Sequence, residues 1–495
     1  MQVLKRPRAR PWGAGAALWS AAVLVACASP AGIEPSARLV QAEALGVPEE
    51  GARAALSDRW WQDLGDAALD GLVARAIEGH PSLGMARARL RGAWAAAQAA
   101  DTAGEPQLQA GLEATRQRYT DHGMVPPPLA GSMATSATLQ LSGAWEIDFF
   151  GRHRAALQAA LGQVRAAQAE AAAAQLLLTS QVAQTYVQLA RLLAQQEVAQ
   201  RALAQRETVL QLIRQRVAVG LDSQVELAQG EAALPEMRQQ IEALDEQIAQ
   251  TRHALAALTV QPPEALARLA PRLQALREPV VPSVIPADWL GRRPDLQAAR
   301  ERVEAAVQEV AVARAQFYPN VNLVAFAGVA SLGLDRLLQA GSAQYGIGPA
   351  VRLPILDGGR LRAQLRGKTA ELDAAVEAYN AALLEALRET ADQITALGAI
   401  QRQQAQQRQA QLAAETAFEL AVQRYRAGLG TLLTVLSAET HVLTQRRLAA
   451  DLQARALSAR IALARALGGG YHAPAAARSA DASGGAEAPP PGASR

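Results

Sequence analysis

A chain of 495 residues in which only 4% are aromatic and the formal charge is +3 leaves little room for two familiar classes. Near-balanced charge gives no basic face to track a phosphate backbone, which argues against nucleic acid. Long tracts of Ala, Gln, Arg, Glu and Leu suit extended helices packed through small side chains, not a core built on large ones. No glycine-rich phosphate loop or nucleophile signature occurs, and the six histidines (80, 122, 153, 253, 441 and 472) lack ligand spacing. Neither catalysis nor a metal or other bound cofactor is therefore expected.

The chain starts with a positive segment, Lys5, Arg6, Arg8 and Arg10, followed by an apolar stretch from Gly13 to Ala26. That stretch, about 14 residues, suits a signal peptide and is short for a membrane span; residues 1–26 are expected to be removed. Leu24-Val25-Ala26-Cys27 resembles a bacterial lipobox, and Cys27 is the single cysteine, so it has no internal disulfide partner. Lipid attachment at Cys27 is expected, and at ~0.8 kcal/mol per buried methylene several acyl chains give a stable anchor. Ala28 follows rather than aspartate, which by resemblance to lipoprotein sorting rules implies the outer membrane. Residues 27–58 read as a tether.

The rest is written twice. Residues 59–260 and 294–467 each read as helix, two strands and a long helical hairpin, joined by a proline-rich segment at 261–293. Asp148-Phe-Phe-Gly151-Arg152 matches Asp357-Gly-Gly359-Arg360, and Arg216-Val-Ala-Val-Gly220-Leu221 matches Arg424-Tyr-Arg-Ala-Gly428-Leu429. The glycines keep one offset, 359 − 151 = 428 − 220 = 208. The tail at 468–495 reads as disordered.

Strands are expected near 106–118, 136–149, 319–331 and 344–356. In the first copy Leu108, Ala110, Leu112 and Ala114, then Ala137, Leu139, Leu141, Trp145 and Ile147, alternate with Gln, Glu, Thr and Ser. The second copy gives Val321, Leu323, Ala325, Ala327 and Val329, then Tyr345, Ile347, Val351, Leu353 and Ile355. Period two means one apolar and one mostly polar face, and roughly ten residues cross a bilayer when tilted. Four strands cannot close a barrel, and open edges cannot sit in lipid. Either the sheet packs on helices in water, or several chains pool their strands, the reading the leader and the sparse aromatics favour.

From Arg152 to Val217 the chain lacks proline, enough for a helix of about 100 Å. Val182, Tyr186, Leu189 and Leu193, then Leu210, Ile213 and Val217, follow coiled-coil spacing. So do Met237, Ile241, Leu244, Ile248, Leu255 and Leu258 on the returning helix. Gly220 and Gly428 mark the two turns, with Asp222 or Ser223 as caps. Gly230 and Pro235 predict a kink in the first returning helix.

On the tandem copies, Val351-Arg-Leu-Pro-Ile-Leu-Asp357-Gly-Gly-Arg360 and Gln423-Arg-Tyr-Arg-Ala-Gly428, the chain resembles the TolC-like outer-membrane efflux family, in its lipidated branch. The resemblance covers roughly residues 58 to 468. It implies a mixed α/β membrane protein: a homotrimer whose chains each give four strands to a twelve-stranded barrel, continued by a coiled-coil periplasmic tunnel. It also implies a periplasmic adaptor docking near Gly220 and Gly428, and an inner-membrane pump. Arg424 and Tyr425 match the family's gate-tether region, although packing and surface roles fit them equally. Related channels often carry aspartates where this chain has Thr434 and Ser437. Asp222 and Glu226, four apart on one helical face, either replace that ring with six carboxylates per trimer or simply complement a helix dipole.

Two other readings stand beside the efflux duct. One is an outer-membrane duct for type I protein secretion. The other is a lipidated coiled-coil scaffold without a pore, which the four alternating runs do not suit.

Overall fold

The computed structural model describes residues 29–40, 57–278, 291–357 and 359–472. Cys27, the leader, residues 41–56 of the tether, 279–290 of the connecting segment and the tail from 473 lie outside the described residues. The chain divides into two compact units.

The first unit comprises residues up to Leu39, Leu90–Ala166 and Ala299–Tyr379. It holds an antiparallel sheet in chain order, β1 (Gln107–Arg118), β2 (Met133–Ile147), β3 (Asn320–Leu332) and β4 (Ala343–Arg352). The alternation in sequence fixes its register. Leu112 faces Leu139, which faces Val329, which faces Ala343; Ala110, Leu141, Ala327 and Tyr345 form the next row. One face therefore collects the apolar residues of all four strands. The other carries Gln140 and Gln344, whose amides pair at 3.1 Å, and Phe326, which lies over Gly346. A Cβ at Gly346 would come within 2.7 Å of that ring.

Neither face is covered: Leu108, Leu112, Tyr345 and Ile347 are between 69% and 84% exposed. β1 pairs with β2 alone and β4 with β3 alone, so each presents an open row of backbone donors and acceptors. Leu353 and Ile355, expected on the fourth strand, lie beyond its end at Arg352. β4 ends where its partner runs out: Arg352 pairs with Asn320, the first residue of β3.

The repeated Asp…Gly-Arg motif is a strand-to-helix corner. Gly151 and Gly359 take φ of 74° and 83°, ahead of α3 (Arg152–Ala218) and α6 (Arg360–Arg426). The Asp148 carboxylate accepts the Arg154 N–H at 3.0 Å, and Asp357 accepts those of Gly359 and Leu361 at 3.0 and 2.8 Å. First-turn donors that lack a helical partner are thereby satisfied. At the first corner Phe150 stacks on Tyr318 with centroids 4.9 Å apart. Trp145 donates its indole N–H to the Gly104 carbonyl at 3.1 Å.

Below the sheet, α5 (Pro294–Ala315) packs Val303 and Val310 on Leu361, Leu365 and Leu372 of α6. Residues 29–39, read as part of a tether, are seated here. Ile33 joins that core, and the Asp373 carboxylate accepts from the N–H and hydroxyl of Ser36 and the N–H of Ala37 at 2.8–2.9 Å. α3 meets α5 through Gly162, where an added Cβ would lie 2.9 Å from the Ala305 Cβ and 3.2 Å from its Cα.

The second unit comprises Val40–Arg89, Ala167–Ala298 and the chain from Asn380. Its described helices include α1 (Ala67–Gly79), the start of α2 (Pro81–Thr102), α4 (Gln224–Leu258) and α7 (Leu432–Ala466), with the later parts of α3 and α6. The predicted seam residues Val182, Tyr186 and Leu189 of α3 are buried with Leu244, Ile248 and Leu255 of α4, beside Trp60, Leu69 and Leu457. The Tyr186 hydroxyl donates to Asp66 at 2.7 Å, and the other Asp66 oxygen caps α1 by accepting the Ala68 N–H. Leu266, Leu273 and Leu276 of the connecting segment close this core.

α4 stays one helix through Gly230 and Pro235. Gly230 serves packing: a Cβ there would meet Ile213 at 2.8 Å and Leu210 at 3.1 Å. Gly230, read from the sequence as an interruption, is thus a notch for two large side chains of α3.

Gly162→Val is expected to lower unfolding stability by about 1–3 kcal/mol, because α3 and α5 must separate to admit it. Denaturant titration in detergent, followed by circular dichroism, measures this.

Candidate functional site at the helical turns

Both long hairpins turn in the same way. Gly220 and Gly428 take φ of 74° and 76°. Leu221 N–H reaches Arg216 C=O at 2.8 Å and Gly220 N–H reaches Val217 C=O at 3.0 Å; Leu429 to Arg424 and Gly428 to Tyr425 repeat both bonds at the same lengths. This double closure is the Schellman motif, which needs a residue free to adopt positive φ. The sequence match of the turns is therefore a match of backbone geometry.

What the two turns carry is not symmetric. With the offset of 208, Arg216 corresponds to Arg424, Val217 to Tyr425, Asp222 to Gly430 and Glu226 to Thr434. The structure brings the unmatched members together. Arg216 grips Asp222 with both arms of its guanidinium, Nε to Oδ2 at 2.9 Å and Nη2 to Oδ1 at 3.1 Å. Its Nη1 donates to the Tyr425 carbonyl at 3.0 Å, and its guanidinium carbon lies 4.5 Å from the Tyr425 ring centroid. The Tyr425 hydroxyl donates to Asp222 Oδ2. One carboxylate thus joins the first hairpin to the second, and Tyr425 is anchored in an apolar cluster with Ile213, Ala421, Leu432 and Val435.

The electrostatics follow from that contact. The Arg216 hydrogen bond, more than the loss of solvent, holds the Asp222 carboxyl below the usual aspartate range, with Tyr425 adding to it. Burial first, and then Asp222, pushes the Tyr425 phenol above its ordinary value. Bidentate and stacked, this arginine is a pairing for which lysine is no substitute.

The remaining candidates fall elsewhere. Glu226 closes a capping box, accepting the Ser223 N–H at 2.9 Å while Ser223 Oγ accepts the Val225 N–H at 3.1 Å. Arg424 donates to the Leu429 carbonyl at 3.3 Å, within its own turn. Thr434 shares a hydrogen bond of 3.0 Å with Thr431, and Thr434 and Ser437 line an open groove with Ala414, Ala417 and His441.

Of the two readings left open for Asp222 and Glu226, the contacts here suit the local one: the Asp222 side chain is only 9% exposed and paired with Arg216, and Glu226 caps its own helix. Of the Arg424-Tyr425 pair, only Tyr425 reaches the other hairpin, through Asp222, while Arg424 bonds within its own turn. Arg216, visible in the sequence only as part of the turn match, is the residue that draws Asp222 and Tyr425 together.

Comparisons with known proteins bear on the chain as a whole. The outer membrane efflux protein family matches residues 72–260 and 285–469. The pyoverdine export outer membrane protein OpmQ of Pseudomonas aeruginosa is 34% identical over 422 residues, 83% of this chain and 87% of the relative. The multidrug resistance outer membrane protein MdtP of Escherichia coli is 33% identical over 427 residues, 84% of this chain and 87% of the relative. Among solved structures, the outer membrane protein VceC of Vibrio cholerae aligns with a TM-score of 0.79 at 37% identity, covering 84% of this chain and all of that one.

Tyr425→Phe removes one hydrogen bond to a charged group, worth about 1.5–3 kcal/mol. Hydrogen exchange of amides 418–429 is expected to speed up about tenfold or more, and further in Asp222→Asn. Because the folded Asp222 pKa is depressed, its contribution is complete above the ordinary aspartate range and is lost as pH falls through the depressed value. Exchange protection at the turns, read from pH 7 to pH 3, should therefore hold until the acid end of that range.

Proposed function

The chain belongs to the outer membrane efflux protein family, and from that premise we propose that it is the exit duct of a tripartite export system. Cargo is expelled by an inner-membrane pump, handed over by a periplasmic adaptor, and crosses the outer membrane through this chain without chemical change. Family members are channels, so the chain works by offering an aqueous path across a low-dielectric barrier, not by catalysis.

The sheet carries this reading. Its strands of 10 to 15 residues suit a tilted crossing of the hydrocarbon layer, and one face is apolar across every strand. Open edges are not tolerated in lipid, so β4 of one copy must bond to β1 of the next until the ring closes. Three copies give twelve strands. Phe150, Tyr318 and Trp145 at the corners suit an interfacial aromatic belt. The long helical hairpins line the periplasmic conduit, and lipid on Cys27 tethers the chain to the outer membrane.

At the turns, Val219, Leu221, Val225, Leu429 and Leu433 are between 62% and 72% exposed. Apolar tips of this kind, flanking Gly220 and Gly428, are the surface on which the adaptor docks. Docking opens the entrance by drawing the two hairpins apart, and the Arg216–Asp222–Tyr425 link is what it must break. The names of OpmQ and MdtP support small molecules as the cargo.

Electron microscopy of the mature protein in mild detergent is expected to give threefold particles with a barrel end. Cysteine pairs placed across β1 and β4 in a Cys27→Ser background are expected to run as covalent dimers and trimers. Monomeric, asymmetric particles would remove the pooled barrel and with it the duct.

A further inference from the structure

A second ionic contact lies about 15 Å farther from the turns than the Asp222 link, ten residues along α3, and nothing in the turn motifs announces it. Glu439 sits eight residues past the capping Thr431 on α7 and is 3% exposed. Arg206 lies ten residues before Arg216 on α3, with a side chain 14% exposed. Arg206 Nε donates to Glu439 Oε2 at 3.1 Å, and its Nη1 donates to the Ala233 carbonyl of α4 at 2.9 Å. One guanidinium therefore holds three helices, drawn from both hairpins. The remaining carboxylate oxygen, Glu439 Oε1, is fully covered and has no hydrogen-bond partner.

A buried carboxylate with one bare oxygen is an expensive way to pin helices together. A neutral residue of the same shape would hold them more cheaply. The arrangement makes physical sense if the shut conformation is not meant to be the most stable attainable one. We propose that Glu439 and Arg206 form a second, buried latch of the entrance, strained by the unpaired oxygen, which releases Glu439 to water when the hairpins part. This rests on the gate reading of the turns and adds to it the residues that set how readily the gate yields.

The charged surroundings fix the direction of its pH dependence. Arg206 of α3 is the charge acting on Glu439, and α4 contributes the neutral Ala233 carbonyl. Further along α7, Arg447 is opposed by Arg206 and drawn to Asp451, which is itself held by Arg191 at 2.9 Å and Gln195 at 2.7 Å. Burial pushes the Glu439 carboxyl up, and Arg206 offsets only part of that. A carboxyl whose pKa is higher shut than open binds its proton more tightly when shut. The shut state thus has its full advantage below the ordinary glutamate range and loses it as pH rises through the raised value. Asp222 acts in the opposite sense and in a lower window, so the two links separate on a pH axis.

The test is conductance of the full-length protein in planar bilayers, recorded from pH 4 to pH 8 beside Asp222→Asn. Arg206→Met leaves the carboxylate buried without its partner and is expected to raise open probability at pH 7 about tenfold. Glu439→Gln keeps an acceptor for Arg206 and removes the buried charge. It is expected to lower open probability and flatten the profile above pH 4.5, while wild type opens progressively there. Glu439→Gln is close to isosteric, so it decides the matter even if Arg206→Met fails to assemble. Equal opening by both variants, or a wild-type profile unchanged in Glu439→Gln, would reduce the pair to ordinary packing and overturn the latch. If Asp222→Asn also leaves conductance untouched, the gate reading of the turns is what has failed.

Discussion

Every backbone N–H and C=O taken out of water needs a partner, and in this chain that demand falls on β1 and β4. Each is bonded along one side only, in a sheet whose apolar face is bare. In water such an edge invites aggregation, and in hydrocarbon each unpaired group costs several kcal/mol. Much of the rest can be read as a response. Chain-order antiparallel pairing leaves two free edges of opposite kind at the sheet's limits, the geometry required for identical copies to close a ring. Alternation puts the large apolar residues of the expected set that fall within the strands on one face. Paired corners convert strand to helix without leaving first-turn donors unsatisfied.

Duplication supplies this economy, and its breaking supplies the site. Where the two copies must build the same object they agree: glycines with positive φ at both corners and both turns, and an aspartate capping each corner helix. Where they diverge, chemistry collects. Tyr425 replaces a valine and Asp222 stands against a glycine in the other copy, and these two residues meet over Arg216. A symmetric pair of hairpins would have no reason to be held by one particular contact. The departure from symmetry gives the turns a specific link between the two hairpins.

The two ionic contacts near the turns differ in their cost. The Arg216–Asp222–Tyr425 link is bidentate, stacked and satisfied at both carboxylate oxygens, the arrangement in which a partly covered ion pair gains the most. The Arg206–Glu439 pair is more deeply covered and leaves one oxygen bare, so desolvation outweighs attraction. On the proposed reading of the turns as a gate, a tight link beside a costly one would hold its position yet yield to a modest force.

The sequence by itself determined the elements, their faces and their repetition. Alternation over ten residues, heptad spacing from Val182 onward and glycines at fixed offsets are local signals, set by the side-chain period of each backbone form and by the φ that only glycine adopts cheaply. It also marked Asp148 and Asp357, whose capping role spans two to six residues. Strand ends were less legible, because β4 stops at Arg352 where its partner β3 begins, while the apolar alternation still runs on. Only the tertiary structure decided the site. Asp222 and Tyr425 are 203 residues apart, and Arg206 and Glu439 are 233 apart. A carboxylate in a first helical turn looks the same in sequence whether it faces solvent, closes a capping box as Glu226 does, or is swallowed by an arginine as Asp222 is. What separates these fates is which helix packs against it, and that depends on the summed burial of the whole hairpin, not on any residue nearby in the chain.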